Sequence, residues 1–167
     1  MASFDAQFDA VDRQILEILQ VDARINMRAL GQRVGLSSPA VTERVRRLEA
    51  SRVIRGYRAE IVPERIGLPV VAFVTLALSA DGRGPLRVES EAHKLDSVVE
   101  CYRVTGEDAF LMKLAARDLE SLRETLDRLS ELGRVRTAIV LGVSKSGTSL
   151  HPPAPQRPPP RFWHGAD

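Results

Sequence analysis

The sequence predicts an α+β protein in two parts: an N-terminal winged helix-turn-helix (three helices plus a β-wing), joined to a C-terminal βαββαβ unit of the ferredoxin-like kind. Three observations predict it. Between residues 9 and 50 apolar residues recur at helical spacing, in blocks separated by a polar stretch and by Gly35. From residue 69 onward, β-branched apolar runs alternate with two helical stripes. Between them the composition changes at Pro63 and Gly67. The expected division is residues 1–62, a hinge at 63–68, a sheet domain at 69–150 and a proline-rich tail at 151–167.

The first helix is expected over residues 9–22. Asp9 is its N-cap, and Asp9 and Asp12 lie where the helix dipole favours anions. Val11, Ile15, Ile18 and Leu19 form its apolar stripe, with Leu16 beside it. Phe4 and Phe8 form either a hydrophobic staple or an exposed arm. The second helix runs from Met27 to Val34, with Leu30 and Val34 inward. Gly35 turns the chain, and Leu36 plugs the core. The third helix begins where Ser37 and Ser38 offer capping hydroxyls and Pro39 suits the first turn. Val41, Val45 and Leu48 share its buried face, at i, i+4 and i+7. Helix, glycine turn, helix is the helix-turn-helix pattern. Val53 to Arg58 is strand-like and reads as a wing.

The outer face of the third helix carries the functional signal. Pro39, Thr42, Glu43, Arg46 and Arg47 point away from the apolar face or flank it. Early residues, Ser37, Ser38 and Thr42 among them, are placed to reach base edges; the arginines, with Arg55 and Arg58 beyond, suit guanine or phosphate. From Arg44 to Arg58 there are six arginines and one acid, Glu49. An ordinary solvated helix mixes signs, so this bias favours a polyanion, and double-stranded DNA is the expected partner. Arg47→Ala is expected to weaken specific binding by roughly 1–3 kcal/mol, the size of one bidentate base contact.

In the second part, residues 59–68 read as a strand and hinge. Pro69 to Ser79 is a central strand, Ala80 to Pro85 a turn, and Leu86 to Leu95 a helix with Val88, Ala92 and Leu95 inward. Val98 to Thr105 and Ala109 to Ala115 make a hairpin around Gly106-Glu107-Asp108. Leu119, Leu122, Leu126 and Leu129 stripe a helix begun by Asp118, and Val135 to Val143 is the last strand. Both helices cover one face of the sheet. Val70, Ala72, Val74 and their neighbours leave much apolar surface on the other, so a homodimer stacked sheet to sheet is expected.

Composition excludes several classes. The net charge of the 167 residues is only +2, but it is uneven: residues 1–22 hold five acids and one arginine, residues 24–67 ten arginines and four acids. The single Cys101 excludes an internal disulfide and fits a reducing cytoplasm. The acidic start is no signal peptide, and the longest apolar run, Leu68 to Leu78, is too short to span a bilayer, so no membrane partner is expected. Residues 152–167 are proline-rich and should be extended or disordered; a mobile tail is the expected reading, and docking of Phe162-Trp163 on a neighbouring subunit the alternative.

Phe8 to Leu16, Asp22 to Asn26, Leu36 to Val41, Arg44 to Glu49 and Val53 to Tyr57 followed by Gly67 together resemble the feast/famine, or Lrp/AsnC, family of transcription regulators, over roughly residues 8–150. One departure is Arg52, where the family carries a helix-closing glycine; an arginine there takes the left-handed conformation at roughly 1 kcal/mol, or the helix ends differently. The resemblance implies a second domain that pairs sheet to sheet, in members that commonly assemble into tetramers or octamers. It also implies a small-molecule effector, an amino acid, rather than a cofactor, bound near the turn Val104 to Ala109. There Thr105 and Gly106 would turn backbone amides to a ligand carboxylate, Glu107 or Asp108 would meet an α-ammonium, and Thr137 would add a hydroxyl. Many members carry the acid three residues after the glycine, where this chain has Ala109. The competing reading is that Gly-Glu-Asp is simply good hairpin-turn chemistry.

His93, His151 and His164 have no metal-ligand spacing and are expected at the surface. Cys101 lacks a CxxC partner and is expected to be a buried structural thiol. Ser144 to Ser149 reads as a loop. No acid–base or nucleophile constellation is visible, so no enzyme is expected. The expected function is a sequence-specific DNA-binding regulator that responds to an amino acid. An architectural DNA-coating protein without an effector is the alternative.

Overall fold

A computed structural model of the chain describes residues 9–78, 84–145 and 149–152. Phe4, Phe8, most of the 80–85 turn, part of the loop from Ser144 to Ser149, His164 and the Phe162-Trp163 pair therefore lie outside the described residues. Two compact units form: one takes residues 9–58 with 145 and 149–152, the other residues 59–144.

In the first unit α1 spans Ala10–Val21, α2 Met27–Val34 and α3 Ser38–Ala50. Each start is fixed by a side chain that accepts an orphan backbone N–H: Asp9 takes that of Asp12, Asn26 that of Ala29, and Ser37 that of Ala40. α2 closes on Gly35 at φ 71°, where a side chain would strain the backbone. A tight approach shapes the turn: Gly31 faces the carbonyl oxygen of Leu36, which a Cβ there would meet at 2.6 Å. Ile15, Leu19, Leu30, Val34, Val41, Val45 and Leu48 form the buried core. Leu36 packs against it only in part, as do Val53 and Ile54.

α3 ends at Ser51, and Arg52 follows at φ 57°, the left-handed conformation. The Arg52 N–H then bonds the Glu49 carbonyl, and the Ile54 N–H the Leu48 carbonyl. The arginine thus does a glycine's work and bears the strain. The expected wing is corrected: residues 53–62 form no strand. A strand needs a ladder partner. Val53 and Ile54 turn instead to the helical core, and the rest is exposed. The strand expected in residues 59–68 is likewise absent; Pro63–Ile66 makes a 3₁₀ turn closed by Gly67.

The last described residues lie along α1. The Gln20 amide donates to the Leu150 carbonyl (2.9 Å) and accepts from the Leu150 N–H (2.7 Å). Arg13 reaches the Pro152 carbonyl at 3.1 Å, and His151 Nδ1 lies 3.2 Å from Glu17.

The second unit is β1 (Val70–Leu78), α4 (Pro85–Lys94), β2 (Val98–Arg103), β3 (Phe110–Ala116), α5 (Leu119–Ser130) and β4 (Gly133–Ile139). The sheet is antiparallel in the order β2-β3-β1-β4, as βαββαβ connectivity requires. Both helices cover one face, over Ala72, Val74, Leu76, Phe110, Met112 and Leu114. So Ala72 and Val74 are not on the bare face: strand alternation leaves Val71, Phe73 and Thr75 there, across from Ala115, Lys113 and Leu111 of β3. Phe73 and Tyr102 are 44% and 50% exposed. Leu119, in the first turn of α5, is also exposed rather than inward. β4 starts two residues earlier and stops four earlier than expected: its ladder with β1 runs from Gly133 opposite Leu78 to Ile139 opposite Ala72, and beyond it the Val140 N–H still bonds the Val71 carbonyl.

Candidate nucleic-acid interface and ligand turn

α3 presents one face to the core and the other to water. Val41, Val45 and Leu48 are buried, while Ser37, Ser38, Pro39, Glu43, Arg46 and Arg47 are exposed and Thr42 is half-buried. The Ser37 side chain caps the helix, and the Thr42 hydroxyl donates to the Ser38 carbonyl at 2.7 Å, so its oxygen still has accepting capacity. Arg55 and Arg58 are exposed in the segment that follows. Tyr57 reaches back to Glu49 at 3.0 Å, and burial, then the bond to that carboxylate, pushes the phenol up to about 12.

Sequence reasoning missed what holds α3 to α1. Asp12 is buried, and its carboxylate accepts from Arg44 (2.9 Å to Oδ1) and from Arg47 (3.1 Å to Oδ1, 2.9 Å to Oδ2). Arg44 also donates to Asp9 at 2.6 Å. The N–H of Asp12, and after it Arg44, hold the Asp9 carboxyl below the usual carboxylate range. Arg47 therefore does not stand clear on the outer face. A signal existed: Asp12 sits three residues before Ile15 and seven before Leu19, on the stripe that is buried. An acid there must find a cation.

The hairpin turn between β2 and β3 has Gly106 at φ 115°, and Thr105, Gly106 and Glu107 are exposed. Asp108 is tucked in against Arg136 of β4, which holds its carboxyl below the usual range. Its second oxygen, Oδ1, is buried and makes no hydrogen bond of good geometry, although the Thr75 side chain, after Arg136, also lowers the carboxyl. Thr137 does not join this group. It pairs with Val74, whose side chain is under the helices, whereas Arg136 pairs with Thr75 on the bare face; neighbours in a strand point to opposite sides.

Cys101 is exposed, not buried, because β2 is an edge strand. It lines a groove of about 330 Å³ between α4 and β2, with Glu89, His93 and Arg103. Burial of the thiol in that groove, and then Glu89, raise its pKa. His93 and His151 are exposed, and no acid, histidine and cysteine cluster among the described residues could hold a metal. No helix among the described residues is long and apolar enough to cross a membrane.

A capped helix with a polar outer face, set after a glycine turn and backed by two others, makes this a DNA-binding protein of the helix-turn-helix class, here carrying a separate α+β unit with a four-stranded antiparallel sheet. The sequence matches the AsnC-type helix-turn-helix domain over residues 8–49 and the Lrp/AsnC ligand binding domain over residues 71–150. The chain belongs to the Lrp/AsnC family and is a DNA-binding transcriptional regulator of that type. It is 33% identical over 135 residues to the HTH-type transcriptional regulator LrpC of Bacillus subtilis, covering 80% of this chain and 92% of that one. It is 35% identical over 147 residues to the leucine-responsive regulatory protein of Escherichia coli, covering 85% and 90%. The solved feast or famine regulatory protein of M. tuberculosis, complexed with L-methionine, is 32% identical and superposes with a TM-score of 0.80, covering 86% of this chain and 99% of that one.

Proposed function

We propose that this chain is a sequence-specific regulator that binds a rough DNA palindrome as a sheet-to-sheet homodimer and answers to an amino acid. The carrying observation is the exposed first half of α3: Ser38, Pro39, Thr42 and Glu43 face outward from a helix whose other face is locked in the core, with Arg46, Arg55 and Arg58 beside them. Such short polar groups suit base edges, and the arginines suit guanine or phosphate. The bare sheet face around Phe73 and Tyr102 supports the dimer. In a dimer, two copies of α3 would read half-sites one helical turn apart, or multiples of it.

The ligand reading rests on the turn. Asp108 sets a carboxylate beside the turn, paired with Arg136, and an acid there suits an α-ammonium. Thr105, Gly106 and Glu107 offer backbone and side-chain groups to the rest of an amino acid. Since the M. tuberculosis relative was solved with L-methionine, that amino acid is the first probe. DNA selected from a random pool by the full-length protein, then titrated with and without L-methionine and the other common amino acids, tests both halves. Enrichment of a palindrome together with an affinity change for one amino acid is the expected result. Uniform binding to every sequence, indifferent to all of them, would leave an architectural DNA-coating protein instead.

A further inference from the structure

We propose that Asp12 is a positioning residue for DNA recognition: it holds Arg47 back from the phosphates and so keeps α3 selective. This rests on the DNA-binding reading above. Arg47 has 61% of its side chain exposed and lies on α3. A long arginine in that place ordinarily neutralises a phosphate whatever the base sequence. Here its guanidinium is bound to both oxygens of a carboxylate that is 3% exposed.

Arg44 shares that carboxylate and also takes Asp9. The two residues of each pair are three apart, so the N-cap Asp9 and Asp12 of α1 face Arg44 and Arg47 of α3. Two carboxylates and two guanidiniums sum to zero. The helix that looks strongly basic in sequence therefore carries a balanced cluster, and Arg46 is left as its exposed arginine outside that cluster. Drawing Arg47 onto a phosphate would leave Asp12, buried, with Arg44 alone. The cluster thereby lowers the sequence-independent share of affinity, and the base-reading turn of α3 gains weight.

The test measures full-length protein on a random-sequence duplex by fluorescence anisotropy over a series of salt concentrations. Asp12→Asn keeps the side-chain shape and frees Arg47. The slope of log affinity against log salt should steepen by about 0.9, one phosphate contact, which is about eightfold tighter binding at roughly 0.1 M salt. Adding Arg47→Ala to that variant should reverse the gain. A natively folded Asp12→Asn protein with an unchanged slope overturns the proposal. Should that variant not fold, Arg47→Ala alone decides. It should flatten the slope far less than Arg46→Ala does, and an equal flattening makes Arg47 an ordinary phosphate contact. Wild-type protein without salt-dependent binding to the duplex is a different failure, that of the DNA-binding reading itself.

Discussion

The two units keep their shape by different means. Among the described residues, the helical unit buries seven apolar side chains and fixes α1 against α3 with a four-membered ion cluster. The sheet unit buries fourteen apolar side chains, twelve of them in one continuous core, and its strands are set by backbone register. A small apolar core specifies helix angles weakly, since many side-chain packings fill it almost equally well. A buried carboxylate shared by two guanidiniums has few good geometries. The unit whose helix placement bears on DNA reading is the one that carries the directional restraint.

The largest effects should come from the cores. Phe110→Ala should cost the sheet unit about 3–5 kcal/mol, and Leu30→Ala the helical unit about 2–5 kcal/mol. Urea unfolding followed by probes in each unit should show each variant shifting its own transition; a common shift would mean the units are not separate in stability. Next come two close backbone approaches, one in each unit. A Cβ on Gly133 would meet the Ala77 carbonyl oxygen at 2.1 Å, and one on Gly31 the Leu36 oxygen at 2.6 Å. Each glycine-to-alanine change should destabilise by about 1–3 kcal/mol, and Gly31→Ala should in addition weaken DNA binding by moving the turn before α3.

Asp12→Ala should cost about 1–3 kcal/mol, the loss of several charge-assisted bonds. The figure stays in that range because both arginines released can reach water, with 27% and 61% of their side chains already exposed. A loss under about 0.5 kcal/mol in thermal unfolding would make the cluster ornamental to stability. Arg52→Gly should stabilise by up to about 1 kcal/mol, the left-handed strain relieved less the extra freedom of the unfolded chain.

The smallest effects are those of pH, and they separate the units at one end of the scale only. Asp9 and Asp118 cap helices in different units, and both are held below the ordinary carboxylate value, Asp9 by the Asp12 N–H and Asp118 by Ser121. Depressed values mean stabilisation that is complete above an unfolded pKa near ~3.9 and lost as pH falls through the folded value, so both units should weaken in acid. Tyr57 behaves the other way. Its folded value of about 12 exceeds that of an unfolded tyrosine, about 10, so its contribution is intact below pH ~10 and is lost as pH rises towards 12. Tyrosine ultraviolet absorbance and circular dichroism across alkaline pH should show the helical unit failing there through that group.

What could be read from sequence follows from locality. α2 was legible to its last residue, since Asn26 and Gly35 mark both ends within the segment itself. Arg52 announced its strain because helix closure is also local. The end of β4, the missing wing strand and the bare face of the sheet depend on which partner each strand meets, and local pattern does not contain the partner. Cys101 was misread for that reason: a thiol in an apolar strand is buried only if the strand is internal, and β2 is an edge. The candidate ligand turn was legible as a turn, while the Arg136 that meets Asp108 comes from 28 residues away. The Asp12 cluster spans 32 to 35 residues and left only an acid on a buried stripe as its trace.

The chain passes from one unit to the other twice, since residue 145 and residues 149–152 belong with the helices and residues 59–144 with the sheet. In topology the sheet unit is an insertion within a host, not a bead on a string. A tandem arrangement transmits a pull through one linker; an inserted body has both ends anchored in the same host. Releasing the sheet unit as one piece would therefore take two cuts, one after Arg58 and one before Lys145.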